Sequence, residues 1–377
     1  MSVSFSVPSA PARPDPKAVL TLLKPVTWFP PMWAFTCGAI SAGVPLTDRK
    51  ALLALGICIT GPLVCASSQA VNDWFDRHVD AINEPTRPIP SGRIPGQWGL
   101  AIAIVWTALC LLAALPLGAF GVSAVAIALL FSWGYSAPPL RFKRNGWIGN
   151  TAVGFTYEGL AWVTGAGIML GNQVPPMPLL LLATLYSIGA HGIMTLNDFK
   201  AMEGDKKMGV NSLPVLLGAV GAARVASLVM LLAQAVVIGL LLSWNRPWHA
   251  FAIGVLVVVQ AVMMWRFVQS PRERALWLSA LGVPFYVSGM MITAFAVRTL
   301  PIIVVHARVA DEVHKKINAD EIRVQEKRAE AERKAEQARK QAEARLAEKL
   351  GDEEQATAQA ALMHSLTQLN LKRRQRR

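Results

Sequence analysis

The chain changes abruptly from apolar to acidic at residue 72. Residues 50–71, KALLALGICITGPLVCASSQAV, are followed directly by residues 72–80, NDWFDRHVD, which carry three aspartates. The apolar part is long enough to cross a bilayer as a helix. Carboxylates beside lipid are costly, so at the end of such a segment they indicate a functional site rather than packing.

A second stretch of the same kind follows another apolar segment. Residues 197–205 read NDFKAMEGD, and like residues 72–80 they open with Asn, Asp and an aromatic residue. Each stretch also carries another Asp seven residues after its first. Two such acidic motifs facing one cavity would bind divalent cations and, through them, a polyanionic ligand.

The composition is that of a membrane protein. Of 377 residues, 53% are hydrophobic and only 16% are charged, whereas soluble domains need a polar surface. The predicted fold is an all-α integral membrane protein, a bundle of nine transmembrane helices around a central cavity, with a charged C-terminal helical tail. The nine apolar spans are placed at residues 18–43, 50–71, 97–116, 119–137, 148–170, 177–196, 222–243, 248–267 and 276–299.

Basic residues follow every second predicted span, and this asymmetry orients the bundle. The intervening loops carry few, apart from Arg246 and the pair Arg49 and Lys50. The N-terminus and both acidic motifs are therefore expected on the cytoplasmic face. The basic residues that lead to this orientation are Arg77, Arg87, Arg93, Arg141, Lys143, Arg144, Lys200, Lys206, Lys207, Arg272 and Arg274.

The two ends of the chain differ from the membrane part, residues 18–300. Residues 1–17 are rich in Ser and Pro without an apolar core, which predicts a disordered arm rather than a signal peptide. Residues 301–377 predict a charged helical or partly disordered tail, with pairs such as Glu330/Lys334 and Glu336/Lys340. Nine spans would place this tail on the non-cytoplasmic side, and its role stays open.

The carboxylates of the first motif suit magnesium if the helix continues past the membrane surface. The helical step then places Asn72, Asp76 and Asp80 along one face, with Asp73 about 100° round. Hard oxygen ligands of this kind bind Mg²⁺, which keeps waters and shares its shell with phosphate. In the second motif, Asp198 and Asp205 share a helical face.

Cations must complete a site for a diphosphate, since carboxylates alone would repel it. Arginine offers a fork that matches phosphate oxygens, and lysine offers a point charge. Each candidate cation could equally be only a determinant of membrane orientation. The candidates are Arg87, Arg93, Arg141, Lys143, Lys206 and Lys207.

With these motifs the sequence resembles the UbiA-type intramembrane prenyltransferases, and within them the chlorophyll and bacteriochlorophyll synthases. The resemblance covers residues 18–300. It rests on the pattern Asn-Asp-x-x-Asp-x-x-x-Asp at residues 72–80, on residues 83–88 (NEPTRP) and on residues 135–144 (YSAPPLRFKR). Many relatives carry an Asp where this sequence has Ala201, and the tetrapyrrole-esterifying branch lacks it.

The resemblance implies roles for individual residues. Asp73, Asp76, Arg87 and Arg141 would act on the reacting diphosphate. Asn72, Tyr135, Lys143 and Lys206 would help to bind it. The implied Mg²⁺ ligands are Asn72, Asp76, Asp80, Asp198 and Asp205, with Glu203 as a further candidate because Ala201 supplies none.

The resemblance also implies the reaction. A geranylgeranyl or phytyl group would move from its diphosphate to the propionate of a (bacterio)chlorophyllide, the final esterification in (bacterio)chlorophyll synthesis. The expected setting is a bacterial inner or photosynthetic membrane. The lipid bilayer and pigment–protein assemblies are candidate partners, and no nucleic acid is expected.

Two other functions stay open at this point. The first is prenylation of a quinone precursor or haem by an enzyme of the same superfamily, against which Ala201 argues. The second is cation transport, although transporter carboxylates usually lie near the bilayer midplane. Two ionisable residues inside predicted spans also have two interpretations each. Glu158 would orient the acceptor or bond between helices, and His191 would ligate the macrocycle's magnesium or be structural.

Overall fold

The protein is helical throughout the part that the structure describes. This computed structural model covers residues 13–347, 356–357 and 359–367, where one isolated β-bridge joins Asn145 to Asn211. The predicted all-α class is confirmed. The α-helices are α1 (Pro16–Leu23), α2 (Phe29–Ser41), α3 (Lys50–Cys58), α4 (Ala66–Asn83), α5 (Trp98–Ala114), α6 (Gly118–Ser136), α7 (Gly146–Gly154), α8 (Ala161–Met169), α9 (Met177–Asp198), α10 (Met202–Lys207), α11 (Leu213–Ser243), α12 (Pro247–Gln269), α13 (Pro271–Leu281), α14 (Val283–Val297) and α15 (Pro301–Ala347).

Six helical stretches of the described chain are long and apolar enough to cross a membrane. The third and fourth predicted spans form one of these stretches, and the first and fifth predicted spans are not among them. An integral membrane protein is therefore supported, while the count of nine spans stays a prediction. The six stretches are Leu46–Ile82, Trp98–Ser136, Met177–Asp198, Leu213–Ser243, Pro247–Gln269 and Pro271–Val297.

The first predicted span is broken rather than continuous. Helix α1 ends at Leu23, and Lys24 then adopts a left-handed conformation with φ of 46°. A short 3₁₀ turn, Pro25–Thr27, leads into α2, whose first turn contains Pro30 and Pro31. Proline suits a first turn, where its missing N–H has no helical partner. The break places Lys24 away from the helix axis, where it reaches the acidic motif described below.

Two helices contain π-helical turns. The segment Ile59–Cys65 joins α3 to α4 and contains Pro62, and the segment Phe155–Leu160 joins α7 to α8. Proline lacks the amide hydrogen that an α-helical bond needs, so a wider turn at Pro62 relieves the mismatch. Such π-turns occur often at functional sites.

Small residues let α2 and α8 pack with their backbones close together. A Cβ on Gly38 would lie 1.9 Å from the Trp162 carbonyl oxygen, and one on Gly165 would lie 2.1 Å from that of Phe35. The Trp162 indole donates a hydrogen bond to Ser41 Oγ at 3.1 Å. Close approach through glycine is typical of helix pairs in membranes, and any larger side chain at these two positions would separate the pair.

The chain divides into two compact units, Met1–Ala310 and Asp311–Arg377. The first unit extends past residue 300, where the sequence predicts the start of the tail. Leu300, Ile303 and Ala307 are buried in its apolar core. Residues 1–12 of the predicted N-terminal arm lie outside the described residues.

The second unit is helical from Asp311 to Ala347 and largely exposed. Lys334 pairs with Glu330 at 2.7 Å, the predicted spacing. Glu336 contacts Arg339 at 2.9 Å, three residues on rather than four. Such exposed pairs are screened by water and salt and add little to stability. The basic residues 372–377 lie outside the described residues.

Two truncations should therefore behave differently. Ending the chain after Ala310 is expected to leave the unfolding temperature of the membrane unit unchanged. Ending it after Arg298 should lower that temperature, because removing a large buried side chain such as Leu300 or Ile303 costs about 2–5 kcal/mol. Thermal unfolding in detergent compares the two, and equal stability would show that residues 299–310 add nothing to the core.

Candidate active site

The first acidic motif lies on α4, which continues without interruption from Ala66 to Asn83. Asp73 is almost completely buried and accepts a hydrogen bond from Lys24 Nζ at 2.7 Å. Arg87 Nη1 lies 3.4 Å from Asp73 and 2.8 Å from Asp80. One guanidinium thus joins two carboxylates seven residues apart, so Asp73 and Asp80 share a face of the helix.

Asp76 has a separate set of partners. One carboxylate oxygen forms an ion pair with Lys143, and the other accepts a hydrogen bond from Asn72 at 3.0 Å. The Asn72 amide also donates to Ser136 Oγ at 3.1 Å. Burial lowers the pKa of Lys143 below its ordinary value, although the Asp76 charge opposes this shift. The motif therefore offers two carboxylate sets, each already next to a cation.

Arg87 is held by the loop after α4. Its Nε donates to Glu84 at 2.7 Å, so the guanidinium contacts three carboxylates. Burial disfavours its charged form, but the hydrogen bond to Glu84 and the charges of Asp73 and Asp80 outweigh it and raise its pKa. The same hydrogen bond lowers the pKa of Glu84. Arg87 is therefore a fixed positive charge.

The second acidic motif spans the end of α9 and the start of α10. Asn150 on α7 donates to Asp198 at 3.0 Å and to Thr195 at 3.2 Å. Asp205 lies on α10. Burial raises its pKa, the Ser212 hydroxyl opposes the shift, and the negative charge of Asp76 adds to it. The leading residues of the two motifs, Asn72 and Asn197, line one cavity, which brings the two motifs to one place.

Backbone hydrogen bonds connect the loop before α7 with the segment that follows the second acidic motif. Gly146 N donates to Asn211 O at 2.8 Å, and Asn211 N donates to Arg144 O at 2.9 Å. The Asn145 side chain caps α7 by accepting from the amide of Trp147 at 3.0 Å. The segment that follows the second motif is therefore fixed against the loop that carries Lys143.

The remaining predicted residues lie around this centre. Arg141 has a left-handed backbone with φ of 43° and donates to the Ser136 carbonyl at 3.3 Å. Tyr135 lines the cavity described next, and Lys206 is exposed on α10. Lys24 and Asn150 contact the acidic motifs although the sequence did not single them out. A lysine followed by proline within an apolar segment was a signal for Lys24.

A cavity of about 560 Å³ is lined by the leading asparagine of each motif, Asn72 and Asn197. We call it the asparagine cavity. Its walls are mainly apolar, and its volume is that of a site for one medium-sized ligand. The apolar wall includes Phe35, Ile59, Leu117, Val125, Phe131 and Ile193.

A second cavity, of about 520 Å³, lies beside α7 and α9 and includes His191. His191 Nδ1 lies 3.1 Å from Thr151 Oγ1, and the imidazole stacks on Trp147 with ring centroids 5.5 Å apart. His191 thus has structural partners of its own. Glu158 is buried in the π-helical turn after α7 and does not line either cavity.

The acidic groups do not form a closed metal site. Within the described residues, no three His, Cys, Asp or Glu side chains lie close enough to hold a metal ion by themselves. Asp73 Oδ2 is buried and has no hydrogen-bond partner among these residues. Because Mg²⁺ keeps several waters and shares its shell with phosphates, one or two carboxylates suffice for it. The oxygen ligands present therefore fit Mg²⁺ bound together with a phosphate group.

Comparison with known proteins shows two bacterial relatives that are similar over most of the chain. The chain is 52% identical over 300 residues to the bacteriochlorophyll synthase 33 kDa chain of Rhodobacter capsulatus, covering 79% of this chain and 99% of the relative. It is 49% identical over 303 residues to the protein of the same description from Cereibacter sphaeroides, covering 80% of this chain and all of the relative.

A solved structure shares the fold. A UbiA homolog from Archaeoglobus fulgidus bound to DMAPP and Mg²⁺ has a TM-score of 0.51 at 20% identity, over 75% of this chain and 99% of that one. The UbiA prenyltransferase family matches residues 27–307. Since this match includes both acidic motifs and most of the described helices, the chain belongs to the UbiA prenyltransferase family.

Proposed function

We propose that the chain transfers a geranylgeranyl or phytyl group from its diphosphate to the propionate of a (bacterio)chlorophyllide. The observation that carries the proposal is the meeting of two acidic motifs and several cations beside one apolar cavity. Asp76 pairs with Lys143, and Asn72 and Asn197 of the two motifs line the same cavity. Such a site holds a diphosphate at its polar end and a prenyl chain along its apolar wall.

The polar end accounts for departure of the diphosphate. As the allylic C1–O bond breaks, its electron pair leaves with the diphosphate, and negative charge builds on those oxygens. Arg87, Lys143 and Arg141 are the cations that stabilise this charge. Bound Mg²⁺, which Asn72, Asp76, Asp80, Asp198 and Asp205 would hold, supplies further positive charge.

The acceptor needs no base. A propionate is ionised at neutral pH, so one of its oxygens bonds to C1 without losing a proton. The products are the ester and the free diphosphate. A prenyltransferase that acts on an aromatic carbon must also remove a ring proton. Membership of the prenyltransferase family decides against the transporter hypothesis. The two bacteriochlorophyll synthase relatives, which are 52% and 49% identical, favour a tetrapyrrole over a quinone precursor as the acceptor.

The test is esterification by the purified full chain in detergent. The protein is incubated with Mg²⁺, labelled geranylgeranyl diphosphate and either chlorophyllide or bacteriochlorophyllide. We expect a labelled ester, more of it with bacteriochlorophyllide because of the two named relatives, and none when Mg²⁺ is chelated. Prenylation of a quinone precursor in the absence of any tetrapyrrole ester would refute the proposal.

The photosynthetic membrane is the proposed location of the protein, with both acidic motifs on the cytoplasmic face of that membrane.

Substitution of Ala201 tests the second motif. Ala201 is partly buried just before α10, between Asp198 and Asp205. If its position is a vacant ligand position, Ala201→Asp should keep prenyl transfer and change the preference between Mg²⁺ and Mn²⁺. Turnover with each metal measures this. A folded but inactive variant would instead show that the small side chain makes room for substrate.

A further inference from the structure

Four polar side chains meet on the wall of the asparagine cavity. Tyr157 Oη lies 3.0 Å from Ser68 Oγ, 3.3 Å from Gln69 Nε2 and 3.3 Å from Cys65 Sγ. All four line the cavity, and we call them the tyrosine cluster. Ser68, Gln69 and Tyr157 are only half-buried, so a ligand in the cavity can reach them.

The cluster is placed by the two π-helical turns. Cys65 ends the first turn, and Ser68, Gln69 and Asn72 follow it at helical spacings that share one face. Tyr157 comes from the second turn, and its hydroxyl reaches Ser68 and Gln69 on α4. The cluster therefore continues the face of the first acidic motif from its cytoplasmic end into the apolar cavity.

The hydrogen bonds of the cluster are easily exchanged. The hydroxyls of Thr60, Thr156 and Thr164, on the same cavity, donate to carbonyls of their own helices. Ser68 likewise donates to the Cys65 carbonyl at 2.7 Å, so Tyr157 is the donor in its bond to Ser68, and the bonds to Tyr157 are the ones that run between helices. The bond from Gln69 Nε2 is 3.3 Å long, just beyond the usual range of 2.7–3.2 Å for an N–H···O bond, and the bond from Cys65 involves a thiol, which is a weak donor.

Building on the proposed function, we infer that the tyrosine cluster binds the carboxylate of the acceptor and positions it beside C1 of the prenyl diphosphate. Tyr157 and Gln69 supply O–H and N–H donors to the carboxylate oxygen that is not attacking. Hydrogen bonds to an ionised group are about twice as strong as neutral ones, so the carboxylate displaces the long bonds within the cluster.

The absence of basic residues from the cavity wall supports binding of the carboxylate by neutral donors. Among the described residues that line the asparagine cavity there is no Lys or Arg. A basic residue would bind the carboxylate as an ion pair and neutralise the oxygen that must attack. Neutral donors instead fix its orientation and leave its charge largely intact.

The position of the tyrosine cluster along α4 also suits attack on the prenyl diphosphate. Gln69 precedes Asp76 by seven residues, which is about 10 Å along a helix axis. A diphosphate held at Asp76 places its ester oxygen and C1 part of the way along this distance. A nucleophile must come within about 3–3.5 Å of the carbon that it attacks, and the cluster lies on that side of the diphosphate.

The experiment compares two forms of the acceptor. Binding of bacteriochlorophyllide with a free propionate, and of the same pigment with that propionate methyl-esterified, is measured by fluorescence on the full chain with Mg²⁺ and no donor. The wild type is expected to bind the free acid at least about tenfold more tightly than the ester, the scale of hydrogen bonds to a charged group.

Tyr157→Phe and Gln69→Leu should bring this ratio close to one and raise the acceptor KM while leaving the KM for geranylgeranyl diphosphate unchanged. The matched control is Tyr186→Phe, which removes a buried hydroxyl bonded to Thr293 at 2.6 Å, outside both cavities. It should keep the wild-type ratio.

The outcomes separate the two proposals. A wild type that makes no tetrapyrrole ester overturns the proposed function and this inference with it. A wild type that makes the ester, with the acid-to-ester ratio unchanged in both variants, overturns the tyrosine cluster alone. If Tyr157→Phe unfolds or loses donor affinity, Gln69→Leu decides, because it removes a donor and leaves Tyr157 in place.

Discussion

Replacing Asp76 with alanine is expected to lower turnover by at least about 10²-fold, the scale of losing one electrostatic contact to a transition state. Asp76 pairs with Lys143, accepts from Asn72 and carries the charge that reaches Asp205. Its removal takes away a proposed metal ligand and leaves Lys143 without a counterion. Turnover at saturating substrates measures the effect, and Asp73→Ala and Asp80→Ala should follow in the same direction.

Two further variants separate chemistry from folding. Asp76→Asn keeps the shape of the side chain and removes its charge, so it should be folded and as poorly active as the alanine variant. Asp48→Ala makes the same change at an exposed carboxylate outside the site and should stay within about threefold of the wild type, because no transition-state contact is lost. Near wild-type turnover in a folded Asp76→Ala enzyme would remove Asp76 from the proposed metal site.

The helical placement of the first motif was predictable because local rules fix it. Residues 66–83 contain no Pro or Gly, so nothing ends the helix between the apolar segment and Asp80. The expected alignment of Asn72 with Asp76 holds, since the two are hydrogen-bonded. The pairing of Asp73 with Asp80 through Arg87 differs from the expected face, which had placed Asp73 at its edge. Arg87 decides which carboxylates are paired, and the position of Arg87 depends on the loop after α4.

Long-range contacts could not be predicted from spacing. Lys24 reaches Asp73 from 49 residues away because the chain breaks at Lys24 itself. Asn150 reaches Asp198 because α7 packs beside α9. Helix propensity and hydropathy predict each span as one straight helix. The first, second and fifth predicted spans are interrupted in the structure. The cavity walls that these interruptions form could therefore not be predicted from the sequence.

Replacing Arg87 with alanine should be nearly as damaging as losing Asp76. One guanidinium contacts Asp73, Asp80 and Glu84, at distances of 3.4, 2.8 and 2.7 Å. Its loss leaves two largely buried carboxylates with fewer partners, and breaking a buried ion pair costs about 3–5 kcal/mol. A lower unfolding temperature and a turnover loss of about 10²-fold are expected, the latter because a phosphate-binding cation is gone.

Arg87→Lys tests whether charge or geometry matters. Lysine keeps the charge but cannot contact three carboxylates at once, so it should recover most of the stability and only part of the turnover. Arg77→Ala is the matched control, because Arg77 lies over the Trp74 ring at 4.1 Å and bonds to its carbonyl, away from the carboxylates. Full turnover in Arg87→Lys would reduce Arg87 to a counterion. Unchanged turnover in a folded Arg87→Ala enzyme would show that the diphosphate is bound by Lys24, Arg141 and Lys143 instead.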